Sequence, residues 1–351
     1  MPGLAAVVLM LGLPLASLQP LGVSLPPPPI AAFPDHEPPV LSSRAWALYS
    51  VDEGALLWAG NADEVRALAS VTKVMTALVV IESGVAPTEE VVISARASAE
   101  GIGYVGQQKV YEGEVWPVEW LLADLLVYSD NGAAVALAEH TAGSVEDFVA
   151  LMNQRAAELG MSATTFKNPN GLDAEGHVSS ARDLIRLGAA AIQEPRLLRL
   201  TRLKFVRFTP GGRVMEVRNS NRLLGTFPGV MGLKTGDTAN AGEVLLTYAA
   251  LPHDEFIGVV MGSRDHMADT RLLLAYATRT LGPKDHFYSS GTHLDELADW
   301  PVWQRARLSA AGPLDDGRRP GASLPLSPRQ REAAAALRDL LPGLLGGEGA
   351  S

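Results

Sequence analysis

The chain of 351 residues contains no cysteine, which excludes disulfides, thiolate metal sites and cysteine nucleophiles together. Positive charge is scarce. Lys and Arg number 29 against 39 Asp and Glu, for a net charge of −10. A sequence-independent grip on nucleic acid needs clustered cations, so no nucleic-acid partner is expected. The 7 histidines are scattered and none has ligand spacing, so neither a metal nor another cofactor is expected. No internal repeat of solenoid length is visible. What the chain does have is apolar content: 47% of residues are hydrophobic and 19% charged, which is globular composition rather than disorder.

A long apolar run occurs at Leu4 to Leu18, broken by Pro14. It falls short of the ~20 residues a membrane span takes and resembles the apolar region of a signal peptide. Residues 1–22 are therefore read as a signal peptide or apolar leader, although no Lys or Arg precedes Arg44. The expectation is an exported, periplasmic or extracytoplasmic protein, membrane-associated if the leader stays uncleaved. Residues 23–40 are a Pro-rich linker, with Pro26–Pro29, Pro34, Pro38 and Pro39 favouring extended polyproline conformation. Residues 41–285 form the folded body. Residues 286–351 read as a partly disordered tail. It ends in a short amphipathic helix that starts at the capping-box run Ser327-Pro328-Arg329-Gln330 and carries Ala333, Leu337, Leu340 and Leu341 on one face.

In the body, Ala45–Ser50 and Ala55–Trp58 flank Asp52-Glu53-Gly54 and predict a hairpin. Helical periodicity covers Ser70 to Glu82, with further helices at Pro117–Val127, Ala133–Thr141, Ser144–Leu159 and Ser180–Ile192. Strand patterns return at Leu203–Thr209, Arg213–Val217, Gly232–Thr235, Val244–Ala249 and Phe256–Met261, before a last helix at Met267–Leu281. Strands, then helices, then strands imply one sheet with a helical insertion. A doubly wound α/β fold is disfavoured.

Three short motifs occur in order: Ser70-Val71-Thr72-Lys73, Ser129-Asp130-Asn131 and Lys234-Thr235-Gly236. Three residues of helix advance about 300°, so Ser70 and Lys73 share a face one turn apart. A serine hydroxyl needs a base to take its proton, and an amine is that base only when burial or a second cation depresses its pKa. Ser70 opens its helix, which frees its backbone N–H for an oxyanion. Ser129, between two predicted helices, is placed to relay a proton, and Asn131 offers donor and acceptor to a substrate amide. Lys234 and Thr235 on a strand can meet a carboxylate. Gly236 leaves that strand uncovered for a peptide to add along its edge, with the Asp237 N–H as second oxyanion donor. Each motif alone is weak: S-x-x-K is more often a helix start, and K-T-G a strand end. Two of the chain's six lysines nevertheless lie in these motifs, and the ordered set is that of penicillin-binding proteins and β-lactamases.

The sequence resembles the serine D-alanyl-D-alanine carboxypeptidases, the low-molecular-mass penicillin-binding proteins of the peptidase S11 type, from about Arg44 to Leu281. Beyond the motifs, Ala69-Ser70-Val71-Thr72-Lys73-Val74-Met75-Thr76-Ala77 is similar to their nucleophile helix. The run Asn168-Pro169-Asn170-Gly171-Leu172-Asp173, with Gly176-His177 and Ser179 to Leu184, is similar to their central loop and helix. Asn221 to Gly225 and Gly229 to Gly236 are similar to their approach to the third motif. The resemblance implies a β-lactamase/transpeptidase-like α+β fold, an antiparallel sheet flanked by helices with an inserted, mostly helical lobe. It implies removal of the terminal D-alanine from peptidoglycan stem pentapeptides through an acyl-enzyme on Ser70. Lys73 would be the base, Ser129 the proton relay and Lys234 a holder of the substrate carboxylate, with β-lactams as covalent inhibitors and no metal. His177 is expected to be structural.

The sequence departs from the family where Asp130 and Gly132 exchange the residue types of S-G-N-D, and where Asp237 sets a carboxylate beside the expected carboxylate site. Arg264 reads as a solvated loop arginine rather than a substrate contact. The β-rich second domain of many members is not expected in the tail, residues 286–351. Two competing readings remain: a class A-like β-lactamase, which needs a glutamate that the loop Gly160–Gly171 lacks and for which Glu175 is the nearest candidate, and a catalytically idle wall-binding protein.

Overall fold

The computed structural model describes residues 38–101, 109–251 and 254–281. The expected leader, most of the linker and the tail with its helix lie outside the described residues. The hairpin β1 (Ala45–Ser50) and β2 (Ala55–Gly60) forms as expected. It is completed from the far end of the body by β7 (Val230–Thr238), β8 (Gly242–Ala250) and β9 (Glu255–Ser263). The sheet is antiparallel in the order β2-β1-β9-β8-β7, with Ala45 of β1 opposite Met261 of β9. Strand β7 is therefore an edge.

Successive strand residues face opposite sides of a sheet. Ile257, Val259 and Met261 join one core cluster, whereas Phe256 and Val260 join another with Leu273, Leu274 and Ala277 of α8 (His266–Leu281). Both faces are covered, which is why Val244-Leu245-Leu246 reads as an unbroken apolar run.

Between β2 and β7 lies the helical insertion. A 3-10 turn (Ala69–Val71) leads into α1 (Thr72–Glu82), whose residues Thr72 to Val80 are all buried. A helix apolar on every side belongs in the middle of a core, and Lys73 is the ionisable exception inside it. Around it stand α4 (Asn131–Ala142), α5 (Val145–Glu158) and α6 (Ala181–Ala191), capped at their starts by the side chains of Asp130, Ser144 and Ser180.

The expected helix over Pro117–Val127 is α3 (Val118–Ala123), and it ends in a π turn (Asp124–Tyr128). The ribbon β5 (Phe205–Phe208) with β6 (Met215–Arg218) matches two expected strands. Four short elements were not legible: β3 (Glu90–Val92), α2 (Ala95–Glu100), β4 (Val115–Pro117) and α7 (Pro195–Thr201). Trp116 anchors that region, stacking at 6.2 Å from Trp120 and 5.3 Å from Phe208. Among the described residues, no helix is long and apolar enough to cross a membrane.

Candidate active site

The first motif is built on strain. Ala69 holds a left-handed φ of +48°, which costs a residue with a Cβ of order 1 kcal/mol or more. It turns the chain so that Ser70 heads the buried helix with Lys73 one turn behind. Lys73 Nζ lies 2.9 Å from Ser70 Oγ and 2.8 Å from Asn131 Oδ1, and it also donates to the Asn170 carbonyl. Burial first, and the nearby Lys234 charge second, push the Lys73 amine well below the ordinary lysine range, against the opposing pull of the Asp130 carboxylate. A neutral amine has two hydrogens and one lone pair. Two of its neighbours can only accept, so the hydrogens go to them and the lone pair faces Ser70.

Ser129 also has a left-handed backbone, φ +74°, at the end of the π turn. Its N–H bonds to the Asp124 carbonyl at 3.0 Å, and its hydroxyl is not one of the three partners of Lys73. Asn131 Oδ1 accepts from Lys73, which leaves its NH₂ and the second lone pair of Oδ1 for a substrate amide.

The exchange of Asp130 and Gly132 has a packing reason. Asp130 accepts the Ala133 N–H at 2.9 Å and caps α4, with burial raising its carboxyl to about 6. A side chain at position 132 would put its Cβ 2.5 Å from the Ala97 carbonyl of α2.

The third motif carries another strained residue, Leu233, with φ +74°. Lys234 follows it, buried, donating to the Thr235 carbonyl at 2.9 Å, its amine lowered to about 7 by burial. Thr235 Oγ1 is 2.5 Å from Ser220 Oγ. Gly236 corrects an expectation. β7 is open because it is the last strand of the sheet, whereas the missing side chain makes room for the nucleophile: a Cβ there would sit 2.9 Å from both Ala69 Cβ and the Ser70 nitrogen. Asp237 is exposed on the face that Thr235 shares.

Two further residues of the site, Asn170 and Ser220, carry no motif of their own. Asn170 sits in the Asn168–Asp173 loop, which Thr76 Oγ1 ties to α1 through the Pro169 carbonyl at 2.6 Å. The Pro, Asn and Gly of that loop were visible as turn chemistry, but not their approach to Lys73, 97 positions away in sequence. Nothing local marked Ser220. Arg264 is exposed, as expected of a loop arginine, and Glu175 is exposed as well.

All three motifs are therefore brought together around Ser70 and Lys73, between the sheet and the helical lobe. The sequence profile of the D-alanyl-D-alanine carboxypeptidases, peptidase S11, matches residues 33–265. The chain belongs to this family. D-alanyl-D-alanine carboxypeptidase DacC of Escherichia coli K12 is 36% identical over 247 residues, covering 68% of this chain and 61% of the relative. DacF of Bacillus subtilis 168 is 35% identical over 63% of this chain and 57% of its own length. The chain thus spans less than two thirds of these curated family members. A D-alanyl-D-alanine endopeptidase of Pseudomonas aeruginosa is 34% identical, with 77% of this chain and 86% of the relative covered. Among solved structures, the Streptomyces K15 DD-transpeptidase superposes with a TM-score of 0.65 at 26% identity, over 69% of this chain and 98% of that one. The fold that the resemblance implied is the fold observed.

Proposed function

We propose that the protein is an exported serine D-Ala-D-Ala carboxypeptidase acting on peptidoglycan stem peptides. The observation that carries this reading is the Lys73 amine, buried and low in proton affinity, 2.9 Å from Ser70 Oγ. Lys73 takes the hydroxyl proton as Oγ attacks the carbonyl of the penultimate D-alanine. The Ser70 and Asp237 N–H groups hold the oxyanion. The proton then passes to the leaving amine, with the Ser129 hydroxyl as relay. Terminal D-alanine departs and an ester to Ser70 remains, which water hydrolyses to regenerate the hydroxyl. Lys234 and Thr235 hold the C-terminal carboxylate. The same groups would let β-lactams acylate Ser70.

The test is mass spectrometry of a synthetic stem pentapeptide together with fluorescent penicillin labelling. Loss of one alanine, and labelling that disappears in Ser70→Ala, are expected. Labelling that persists in Ser70→Ala refutes the nucleophile. A second reading, cleavage of D-alanyl cross-links, is favoured by the 86% coverage of the Pseudomonas endopeptidase. It predicts faster turnover of a cross-linked peptide dimer than of the pentapeptide.

A further inference from the structure

The Ala69 carbonyl and the Ser70 N–H belong to one planar peptide unit and point in opposite directions. Whatever grips that carbonyl therefore fixes the direction of the Ser70 N–H on the opposite side. Two side chains to which the reaction steps above assign no part form the grip: Thr72, inside the first motif, and His177, outside all three. Thr72 Oγ1 donates to the Ala69 carbonyl at 2.8 Å, and His177 Nε2 lies 2.7 Å from Thr72 Oγ1.

The direction of this chain follows from its far end. The backbone N–H of Lys167 donates to His177 Nδ1 at 2.9 Å. Nδ1 is then an acceptor, Nε2 carries the hydrogen, and Thr72, whose own hydrogen goes to Ala69, accepts from it. Every hydrogen bond runs one way, from Lys167 through His177 and Thr72 to Ala69. Thr72 is fully buried and His177 is 2% exposed, its ring packed edge-on against Phe166 at 5.9 Å. Burial lowers the imidazole to about 4, so the neutral ring this arrangement needs is the form present near neutral pH.

We propose that His177 and Thr72 are positioning residues that hold the strained Ala69–Ser70 peptide and thereby orient the Ser70 oxyanion donor. This goes beyond the expectation of a merely structural histidine, and it rests on the proposed acyl-enzyme at Ser70. A left-handed alanine relaxes unless its surroundings hold it. The front of the turn is walled by Gly236. Gly171 closes another side, since a Cβ there would stand 2.1 Å from the Ala69 oxygen. Neither contact supplies a donor to the carbonyl. Besides the Thr72 N–H of the turn itself, the Thr72 hydroxyl does. Polarisation along the aligned bonds also makes the Ser70 N–H a better donor.

Stopped-flow acylation by a chromogenic cephalosporin separates the acylation rate from the binding constant. Thr72→Val, which keeps the shape and removes the hydroxyl, should slow acylation by about 10–100-fold with binding within about threefold, since misaiming an oxyanion donor acts on the transition state. Thr72→Ser should restore the rate. If Thr72→Val does not fold, His177→Gln, which keeps a donor for Thr72, against His177→Leu, which has none, makes the same comparison. Ring ¹⁵N shifts of His177 should report hydrogen on Nε2.

Unchanged acylation in a folded Thr72→Val, a Thr72→Ser as slow as Thr72→Val, or hydrogen on Nδ1 would each overturn the proposal. Failure of the wild type to acylate at all would instead overturn the proposed function, leaving the nitrogen shifts to report on the hydrogen-bond chain.

Discussion

Lys73 and Lys234 are both buried amines, yet their tasks require opposite protonation. Lys73 must be neutral to accept the Ser70 proton, and burial together with the neighbouring Lys234 charge favours that state. Lys73→Ala should therefore slow acylation by about 10²–10⁴-fold, the usual worth of a positioned base, read by penicillin labelling kinetics. Lys234 must be charged to hold a carboxylate, and its amine lies at about 7. The ammonium is present below that pH and lost above it, so affinity for a carboxylate-bearing β-lactam should fall between about pH 6 and pH 8. For stability the sign is the reverse. The unfolded chain keeps this lysine protonated up to its ordinary 10.5, so burying Lys234 costs stability in full below about pH 7, and that cost is relieved as pH rises from about 7 to 10.5. Asp237, exposed beside the carboxylate holders, should weaken binding by up to about 1 kcal/mol in water-like dielectric. Asp237→Asn is then expected to tighten β-lactam binding about two- to fivefold, with a smaller gain at high salt.

At the scale of elements, the motifs sit where backbones are forced. Ala69, Ser129 and Leu233 are three of the four non-glycine residues with positive φ among those described, and each lies in or immediately before a motif. Such strain persists only where neighbours impose it, and here close approaches do. Gly171→Ala should destabilise the fold by about 1–3 kcal/mol or more, because the new Cβ meets the Ala69 carbonyl at a position with φ +83°. A lowered melting temperature together with lost labelling is the expected readout. Restoring the family order by Asp130→Gly with Gly132→Asp should fail for the same reason. It removes the α4 cap, worth about 1 kcal/mol, and drives a side chain into the Ala97 carbonyl. These constraints explain what the sequence did and did not disclose. The long periodic helices α1, α4, α5 and α6 and the strands of the sheet were legible from apolar spacing and caps. The helix expected through Val127 ends instead in a π turn at Asp124–Tyr128, because no local signal reports that Ser129 must turn left-handed. Elements as short as β3 and β4, of 3 residues each, carry too few alternations to register.

For the whole molecule, the sheet is a platform that delivers β7 to α1. Core substitutions away from the cleft should cost stability without touching chemistry. Leu274→Ala, in the cluster between α8 and the sheet, is expected to cost about 2–5 kcal/mol. A lower denaturation midpoint with unchanged acylation of the folded fraction would mark it off from the positioning variants. Spacing alone sufficed to pair Ser70 with Lys73, since residues one helical turn apart are neighbours wherever the helix goes. The order of strand and helix patterns likewise sufficed for a sheet closed from both ends of the body. What surrounds the pair is a different matter. The Asn170 carbonyl, the Asn131 amide, the Lys234 charge and the His177 chain behind Ala69 arrive from distant segments. Periodicity describes which face of an element is apolar, but not which other element will lie against it at 3 Å. That choice is made by packing, and packing sets both the proton affinity of the base and the direction of the oxyanion donor.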